Sequence, residues 1–395
     1  MVGFLNCRTV LAAAIAALTA GSVAAQSLPE NSFRLYGHFS PAAISYDDGA
    51  ERYTNIADNS YSGGRIGFWF EYPAQFGRTR FNVESSLGLR QSASLSQFYI
   101  PPLIDIDATA IRKFEVIFDT DRLGSFSFGQ GSMGSDAVTE SDLSGTQLAS
   151  YVGIADTAGG YFFRTASGSV STVRIKDAFP TFDGGRAPRI RWDSPDLALS
   201  HLGTFRIAAS AGLEVTDRNV VVNDALADVG LFYRNTLGNF DIKGSFGTSL
   251  ADVNGETKPQ SAGSISLLHN PSGWSATVAT GARDGGGQYQ YSKIALTRRW
   301  FDWGDTAASI DFYQGIDTVN SGSRSKSYGL GIVQDLDRSD LRLYLGLRRY
   351  EVSTNGIATH RPATSIIFGT RWVFKKLDQV HFARGRDEVD WTESE

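Results

Sequence analysis

The 395-residue chain contains a single cysteine, Cys7, and no long hydrophobic run. Because Cys7 lies in an N-terminal leader, the mature chain would have no thiol for a disulfide, a thiolate metal site or a cysteine nucleophile. Every apolar stretch falls short of the ~20 residues that a membrane-spanning helix needs. The 37 basic and 42 acidic residues give a net charge of −5, which argues against a nucleic-acid-binding surface.

The leader, Met1–Ala25, has the three parts of a secretory signal peptide. Arg8 precedes the apolar stretch 10–20, and the small residues 23–25 offer a cleavage site. The apolar stretch is shorter than the ~20 residues of a spanning helix, so an uncleaved anchor is the less favoured alternative. The sequence therefore predicts an exported protein whose mature part begins at Gln26.

Catalytic and metal-binding patterns are also scarce. The five histidines are isolated from one another: His38, His201, His269, His360 and His381. No serine lies in a G-x-S-x-G context, and no zinc-type spacing or phosphate-binding glycine loop occurs. Asp47, Asp48 and Asp183 could supply oxygen ligands to calcium, but they form no ordered ligand series. We therefore predict no enzyme activity, no cofactor and no metal site.

The chain is rich instead in short alternating segments, of which Leu341–Arg348 is the clearest. Its four leucines fall on one side of a strand, and Arg342, Tyr344, Gly346 and Arg348 fall on the other. In a soluble sandwich the apolar side would face a core, whereas in an outer-membrane barrel it would face lipid and the polar side would line a lumen. Both environments fit this segment alone.

The arrangement of such segments favours the barrel. About 16 candidate strands occur, joined alternately by long and short connections, as in outer-membrane barrels with long external loops and tight periplasmic turns. Aromatic residues lie near strand ends, where a membrane would place two girdles: Trp69, Tyr72, Trp192, Trp274, Trp300, Trp303, Trp372 and Phe374. The predicted fold is all-β, a transmembrane antiparallel β-barrel of about 16 strands. An exported soluble β-protein is the alternative.

Three motifs carry a resemblance to a known family. They are the strand and turn Leu123–Thr146, the strand end Arg189–Pro195 with its Asp-Ser-Pro sequence, and the alternating strand Ile366–Phe374 with its terminal aromatic residue. In this order they resemble the general, non-specific porins of Gram-negative outer membranes, most closely those of alphaproteobacteria. The resemblance covers Ser32–Phe374. Family members normally end at the terminal aromatic residue, whereas residues 375–395 follow it here.

The resemblance implies a function, a location and partners. It implies a water-filled channel in the outer membrane for passive diffusion of ions and small hydrophilic solutes, with a substrate-specific porin for an anion or small nutrient as the alternative. It also implies a homotrimer in outer-membrane lipid, and recognition of strand 366–374 by the barrel-assembly machinery. The resulting division is a signal peptide (1–25), a barrel (26–374) and a C-terminal tail (375–395), for which a periplasmic location is favoured over a misplaced last strand.

The resemblance further implies a constriction, formed where the third external loop folds into the lumen. Here that loop corresponds to Gly131–Gly185, which is far longer than the other connections. Its favoured acidic residues are Asp136, Glu140 and Asp142. The family places a basic cluster opposite this loop, and alternation points the following arginines into the lumen: Arg34, Arg65, Arg80, Arg90, Arg342 and Arg348, with Arg371 as an extension. Several of them could equally be solvated lumen charges or inter-strand ion pairs.

Overall fold

The computed structural model describes residues 32–74, 77–106, 110–214, 224–253, 256–356 and 359–377. The strands are β1 (Ser32–Phe39), β2 (Pro41–Asp47), β3 (Arg52–Asp58), β4 (Arg65–Ala74), β5 (Gly77–Ser86), β6 (Ile111–Thr120), β7 (Gly124–Ser132), β8 (Phe162–Arg164), β9 (Val170–Arg174), β10 (Arg186–Asp193), β11 (Leu197–Ala198), β12 (Thr204–Glu214), β13 (Asp224–Leu237), β14 (Phe240–Val253), β15 (Glu256–His269), β16 (Trp274–Arg283), β17 (Gly287–Phe301), β18 (Gly304–Ile316), β19 (Arg324–Leu336), β20 (Leu341–Ser353) and β21 (Ala363–Leu377). Two one-turn helices are α1 (Ala155–Ala158) and α2 (Ile175–Ala178). None of the described helices is long and apolar enough to cross a membrane.

All of the described strands except the β8–β9 hairpin belong to one antiparallel sheet, which closes where β1 and β2 pair with β21. β1 and β2 are two parts of one barrel strand, interrupted at Ser40 before a proline that has no N–H to donate. β3 and β4 are two parts of the next strand, interrupted over 59–64. β11 adds only a short pairing to β12. The described chain therefore forms the closed 16-strand barrel that the alternation predicts.

The strands present an apolar face outward and a polar face inward. On β19, Tyr328, Leu330 and Ile332 are exposed, whereas Ser325 and Ser327, which precede them on the opposite face, are fully buried. On β20, Leu347 is exposed outward, and Tyr344 and Arg348 are buried inside. Because the barrel is closed, the two faces that alternation separates meet different surroundings, lipid outside and the lumen or its contents inside.

The two ends of the barrel differ in their connections. Short turns such as 121–123, 238–239 and 270–273 lie at one end, hereafter the turn end. The connection Met133–Gly185 between β7 and β10 lies at the other end, hereafter the loop end, and is named here the long segment. It contains α1, α2 and the β8–β9 hairpin.

One strand end differs from the sequence-based expectation: the last strand continues past Phe374 to Leu377, pairing with β1. Between β2 and β4, the alternating Tyr53, Asn55 and Ala57 of β3 pair with β2. β5 ends at Ser86, because Gly88 turns the chain with a positive φ of 65°. The predicted signal peptide, and the predicted tail beyond 377, lie outside the described residues.

Candidate functional site

The long segment packs against the inward face of one side of the barrel. Tyrosines from β2, β17, β18 and β20 form a buried cluster with aromatic residues of the segment: Tyr46, Tyr161, Phe163, Phe179, Phe182, Tyr289, Tyr291, Tyr313 and Tyr350. The ring of Phe179 lies 5.2 Å from that of Tyr313 and 5.6 Å from that of Tyr350. The Tyr313 hydroxyl donates to the Pro180 carbonyl oxygen at 2.7 Å. Apolar rings and a polar tip together suit tyrosine to this wall.

Buried ion pairs fix the middle of the long segment to the same side. The Lys293 ammonium of β17 pairs with the Asp142 carboxylate, and it also donates to the Ser150 carbonyl oxygen at 2.9 Å. Arg348 of β20 binds Asp311 of β18 through two N–H···O bonds of 2.7 Å. The Ser150 hydroxyl donates to the same Asp311 carboxylate. These charges are buried and paired, so they hold the segment rather than meet solutes.

The first residues of the segment are held by the strands beside them. Arg191 donates to the Met133 carbonyl oxygen at 2.8 Å and forms two bonds with Asp193. Asp228 of β13 accepts from the backbone N–H groups of Gly134 and Ser135 at 3.0 and 2.7 Å. The first three residues of the segment are thus bonded to β10 and β13.

A cavity of about 540 Å³ remains between the long segment and the opposite side of the barrel. It is lined by eight basic side chains: Arg65, Arg112, Lys113, Lys176, Arg186, Arg191, Arg206 and Lys243. Five acidic side chains also line it: Glu84, Asp136, Glu140, Asp156 and Asp183. Four of the five acids come from the long segment, and Glu84 of β5 is the exception. Seven of the eight bases come from the strands, and Lys176 of the segment is the exception. The cavity is therefore bounded by an acidic side and a basic side, hereafter the basic wall.

The acidic side is crowded, and this affects its protonation. Burial, and then the neighbouring carboxylates of Asp183 and Asp136, raise the pKa of Glu140 well above its usual value. Burial and the Asp136 charge raise the pKa of Asp183 to about 7, and burial raises that of Asp156 to about 7. Asp136 faces the basic wall, with its Oδ2 atom 3.9 Å from Nη1 of Arg186. Near neutral pH, the acidic side therefore carries less charge than its residue types suggest.

The basic wall is organised around Glu84 of β5. Its Oε1 atom lies 2.6 Å from Nε of Arg112 and 3.7 Å from Nη1 of Arg65, and Tyr36 donates to Oε2 at 3.0 Å. Arg112 and Lys113 are adjacent in sequence, yet both line the cavity. They do so because the β5–β6 register shifts beside Glu84, where a β-bulge re-aims a side chain.

This geometry can be compared with known proteins. Residues 12–355 match a family model described as Gram-negative porin. The chain belongs to the Gram-negative porin family. The porin forms an outer-membrane channel for passive diffusion, and its family and fold are those of a channel rather than an enzyme. No curated protein matches the sequence significantly.

Solved structures resemble the porin in fold. An anion-selective porin from Comamonas acidovorans has a TM-score of 0.56 at 15% identity, over 87% of this chain and 100% of that one. The trimer form of in-vitro folded OmpT from Vibrio cholerae has a TM-score of 0.51 at 14% identity, over 87% and 99%. OmpF of Salmonella typhi in complex with daunomycin has a TM-score of 0.51 at 12% identity, over 87% and 98%. At these identities the likeness concerns the fold.

The residues named from the sequence fall into distinct places in the porin. Asp136, Glu140 and Arg65 line the main cavity. Asp142 and Arg348 lie in the buried ion pairs that hold the long segment. Nearer the turn end, Arg80 donates to Asp119 at 2.9 Å and Arg342 lies 3.1 Å from Asp335. Arg34 also lies towards the turn end of β1, and Arg90 lies beyond β5, where its amide N–H donates to the Leu103 carbonyl oxygen at 3.0 Å.

Other lining residues of the porin were not selected from the sequence. Arg191, Arg206 and Lys243 follow the inward alternation of their strands, so the same signal that selected Arg65 could have found them. Arg112 and Lys113 depend on a bulge that alternation does not show. One girdle expectation is wrong: Trp69 faces inward, where the guanidinium of Arg80 lies 5.4 Å from its ring centre.

Proposed function

We propose that the long segment constricts the channel of this porin, and that the channel passes small anions in preference to cations. The observation that carries this proposal is the charge balance of the main cavity, eight basic side chains against five acidic ones. Two of the acids have a pKa near 7 and a third has a higher pKa than usual, so the balance is more positive than the count alone. An anion entering the cavity meets a favourable potential.

The proposed mechanism needs no tight binding. Fixed charges on opposite sides of a narrow passage bias the traffic of hydrated ions, because an ion must find entry favourable but still be able to leave. The basic wall and the acidic side act across the passage within a Debye length of about 8–10 Å. A transverse field of this kind orients dipolar solutes and disfavours apolar ones.

Within this proposal the predicted residues take different roles. Asp136 and Glu140 belong to the acidic side and Arg65 to the basic wall. Asp142 and Arg348 hold the segment in position. We further propose a homotrimer, supported by the trimer form of the Vibrio cholerae neighbour, and recognition of strand 366–374 by the barrel-assembly machinery.

Planar-bilayer recording tests the proposal. With purified porin in a KCl gradient, we expect stepwise conductance and a reversal potential of the sign for chloride preference. Replacing Asp136 with Asn and Glu140 with Gln should increase that preference, while Arg342→Gln, at the turn end, should leave it unchanged. A reversal potential of the sign for potassium preference would contradict the proposal. Conductance that saturates with one solute alone would favour the substrate-specific alternative.

A further inference from the structure

A second, smaller cavity of about 90 Å³ lies inside the barrel next to the main cavity. Trp69, Lys113 and Arg206 line both cavities, so the two are neighbouring parts of one lumen. Ser125 lines the smaller cavity alone, and it lies at the start of β7, next to the 121–123 turn. The smaller cavity therefore extends the lumen towards the turn end, and it is named here the turn-end cavity.

The turn-end cavity has an excess of positive charge. Its basic residues outnumber its acidic ones by five to two: Arg80, Lys113, Arg189, Arg191 and Arg206 against Glu115 and Asp193. The two carboxylates are already paired, Glu115 with Arg189 and Asp193 with Arg191. Lys113 forms no ion pair with any residue that the structure describes. A carboxylate that enters this cavity therefore meets a favourable potential.

The described part of the chain stops close to this cavity. Leu377 of β21 lies opposite Arg34 of β1 in the sheet register, and Arg34 lies opposite Trp69 of β4. Neighbouring strands are about 4.8 Å apart, so the backbone of Leu377 lies about 10 Å along the sheet from that of Trp69. The residues that follow Leu377 thus start beside the turn-end cavity.

Those following residues contain a strongly acidic stretch. The stretch 387–395 has five carboxylates and no basic residue: Asp387, Glu388, Asp390, Glu393 and Glu395. The nine residues 378–386 connect it to β21. An extended chain covers at most about 3.6 Å per residue, so this connection spans up to about 30 Å. The acidic stretch can therefore reach every part of a cavity that begins about 10 Å from Leu377.

The strands on the other side of β21 offer a less favourable surface at the turn end. There the guanidinium of Arg299 is paired with Asp305 and Asp337. Arg342 of β20 is paired with Asp335. These five side chains carry three negative charges against two positive ones. An acidic segment that leaves β21 is therefore attracted towards β4–β6 rather than towards β17–β20.

We propose that residues 387–395 enter the lumen from the turn end and bind the turn-end cavity, so that an acidic segment of this porin partly closes its own channel. Carboxylates form charge-assisted hydrogen bonds with ammonium and guanidinium groups. Attachment to β21 keeps the segment at an effective concentration in the millimolar range, so weak contacts suffice. Because the two cavities share lining residues, the bound segment narrows the passage and offsets part of its positive charge.

Single-channel recordings of the full-length porin and of a variant truncated after Leu377 test the proposal. The wild type should show transient closures that are more frequent when the loop end is positive, because that polarity draws an acidic segment inward. The truncated variant should lose these closures and show a stronger chloride preference. The truncation removes no described strand, since β21 ends at Leu377.

Full-length variants separate the charge of the segment from its presence. Replacing all five carboxylates of 387–395 with the corresponding amides should abolish the closures as the truncation does. Asp378→Asn is the matched control, because Asp378 lies outside the acidic stretch, and it should close as often as the wild type. A neutral segment that closes the channel as often as the wild type would overturn the proposal, as would unchanged closures after truncation.

A synthetic peptide of residues 387–395 locates the binding place. Added in the millimolar range at the turn end of the truncated porin, it should restore the closures. Lys113→Gln should raise the half-blocking concentration about tenfold, the factor that one charge-assisted hydrogen bond contributes. Arg342→Gln, at the turn end but paired with Asp335, should leave that concentration unchanged. Equal block of these two variants would exclude the turn-end cavity and overturn the proposal.

The test is independent of the proposed ion preference. A truncated porin that prefers potassium would contradict anion selectivity, whereas the closures and the peptide block would still decide whether the segment binds. Heat-modifiable migration of each variant confirms that its barrel has folded.

Discussion

The two sides of the barrel interior share one backbone geometry and differ in what they contain. One side, lined by β2 and β17–β20, carries tyrosines, and the long segment covers it. The other side, lined by β4–β6, β10 and β12–β14, carries mostly arginine and lysine, and a cavity remains there. Strand alternation makes both faces point inward. The residue types then determine which face is covered by protein and which is left to water.

The difference has a physical reason. A tyrosine wall gains from burial against Phe163, Phe179 and Phe182, and its hydroxyls can still donate to backbone oxygens of the segment. Covering a wall of guanidinium and ammonium groups would remove their hydration, which costs several kcal/mol for each ion unless a partner compensates. Among the described residues of β2 and β17–β20, the buried basic side chains are Lys293 and Arg348, and each has an acidic partner. The channel is thus open where charges are in excess.

The largest expected effect comes from breaking the buried ion pair of Asp311 and Arg348, beside which Ser150 of the long segment is bonded. Asp311→Asn leaves Arg348 buried without its counter-charge and weakens the bond to Ser150. Breaking a buried pair by removing one partner costs about 3–5 kcal/mol. We expect a lower unfolding midpoint in denaturant, measured by tryptophan fluorescence, and noisier, larger conductance steps because the long segment loses a support.

A matched variant controls for loss of an arginine pair as such. Arg342→Gln breaks the pair with Asp335, whose side chains are 46% and 35% exposed. A solvated pair of this kind contributes at most about 1 kcal/mol. If Arg342→Gln destabilised the barrel as much as Asp311→Asn, the distinction between the ion pairs buried under the long segment and the solvated pairs elsewhere in the barrel would be wrong.

The next largest effect concerns the outer surface. Phe368 is 54% exposed on the lipid face of β21, and a charge there costs about 2–4 kcal/mol at the bilayer midplane. Phe368→Arg should impair assembly, measured as the fraction of heat-modifiable protein in the membrane. Val373→Arg, on the same strand but lining the cavity, should assemble normally. Gly369 is unsuitable as the inward control, because a Cβ there would clash with the Tyr344 hydroxyl and would lie 2.6 Å from the Pro41 oxygen.

Equal assembly of Phe368→Arg and Val373→Arg would contradict the assignment of the two faces. That assignment is the part of the structure which the sequence predicts best, since Ile366 and Phe368 are exposed and Ile367 and Arg371 are buried, as alternation requires. A period of two depends only on local geometry, so it can be read residue by residue.

The position of an inward side chain along the barrel axis, and the residues it contacts, are harder to predict from the sequence. Arg34, Arg65 and Arg348 all point inward by alternation, but one lies towards the turn end, one lines the cavity and one is covered by the long segment. These differences depend on strand register and on where a 53-residue connection runs, which are long-range properties. Lys113 and Arg112 both line the cavity because of a bulge, which breaks the period that sequence reasoning uses.

A smaller effect tests which arginines and lysines act on ions. Lys113 lines the main cavity, whereas Arg34 does not. Lys113→Gln should therefore move the KCl reversal potential towards potassium, and Arg34→Gln should move it much less, because charges act over about 8–10 Å at physiological ionic strength. Unfolding midpoints of both variants should match the wild type. A larger shift for Arg34→Gln would place the narrow part of the channel nearer the turn end.

The smallest expected effect is a pH dependence of the ion selectivity, caused by carboxyl groups that line the cavity. The pKa values of Asp156 and Asp183 are raised to about 7, in both cases chiefly by burial. A carboxyl group is neutral below its pKa, so lowering the pH from 8 to 6 should remove negative charge from the acidic side and increase chloride preference. Recordings in the same KCl gradient at several pH values measure this shift.

Two variants identify the groups responsible for that pH dependence. The double variant Asp156→Asn, Asp183→Asn should show, at every pH between 6 and 8, the stronger chloride preference of the wild type at low pH. His38 also lines the cavity, so His38→Gln separates the contribution of its imidazole from that of the carboxyl groups. A wild type without pH dependence, or a double variant that keeps it, would show that these two carboxyl groups do not set the charge of the passage.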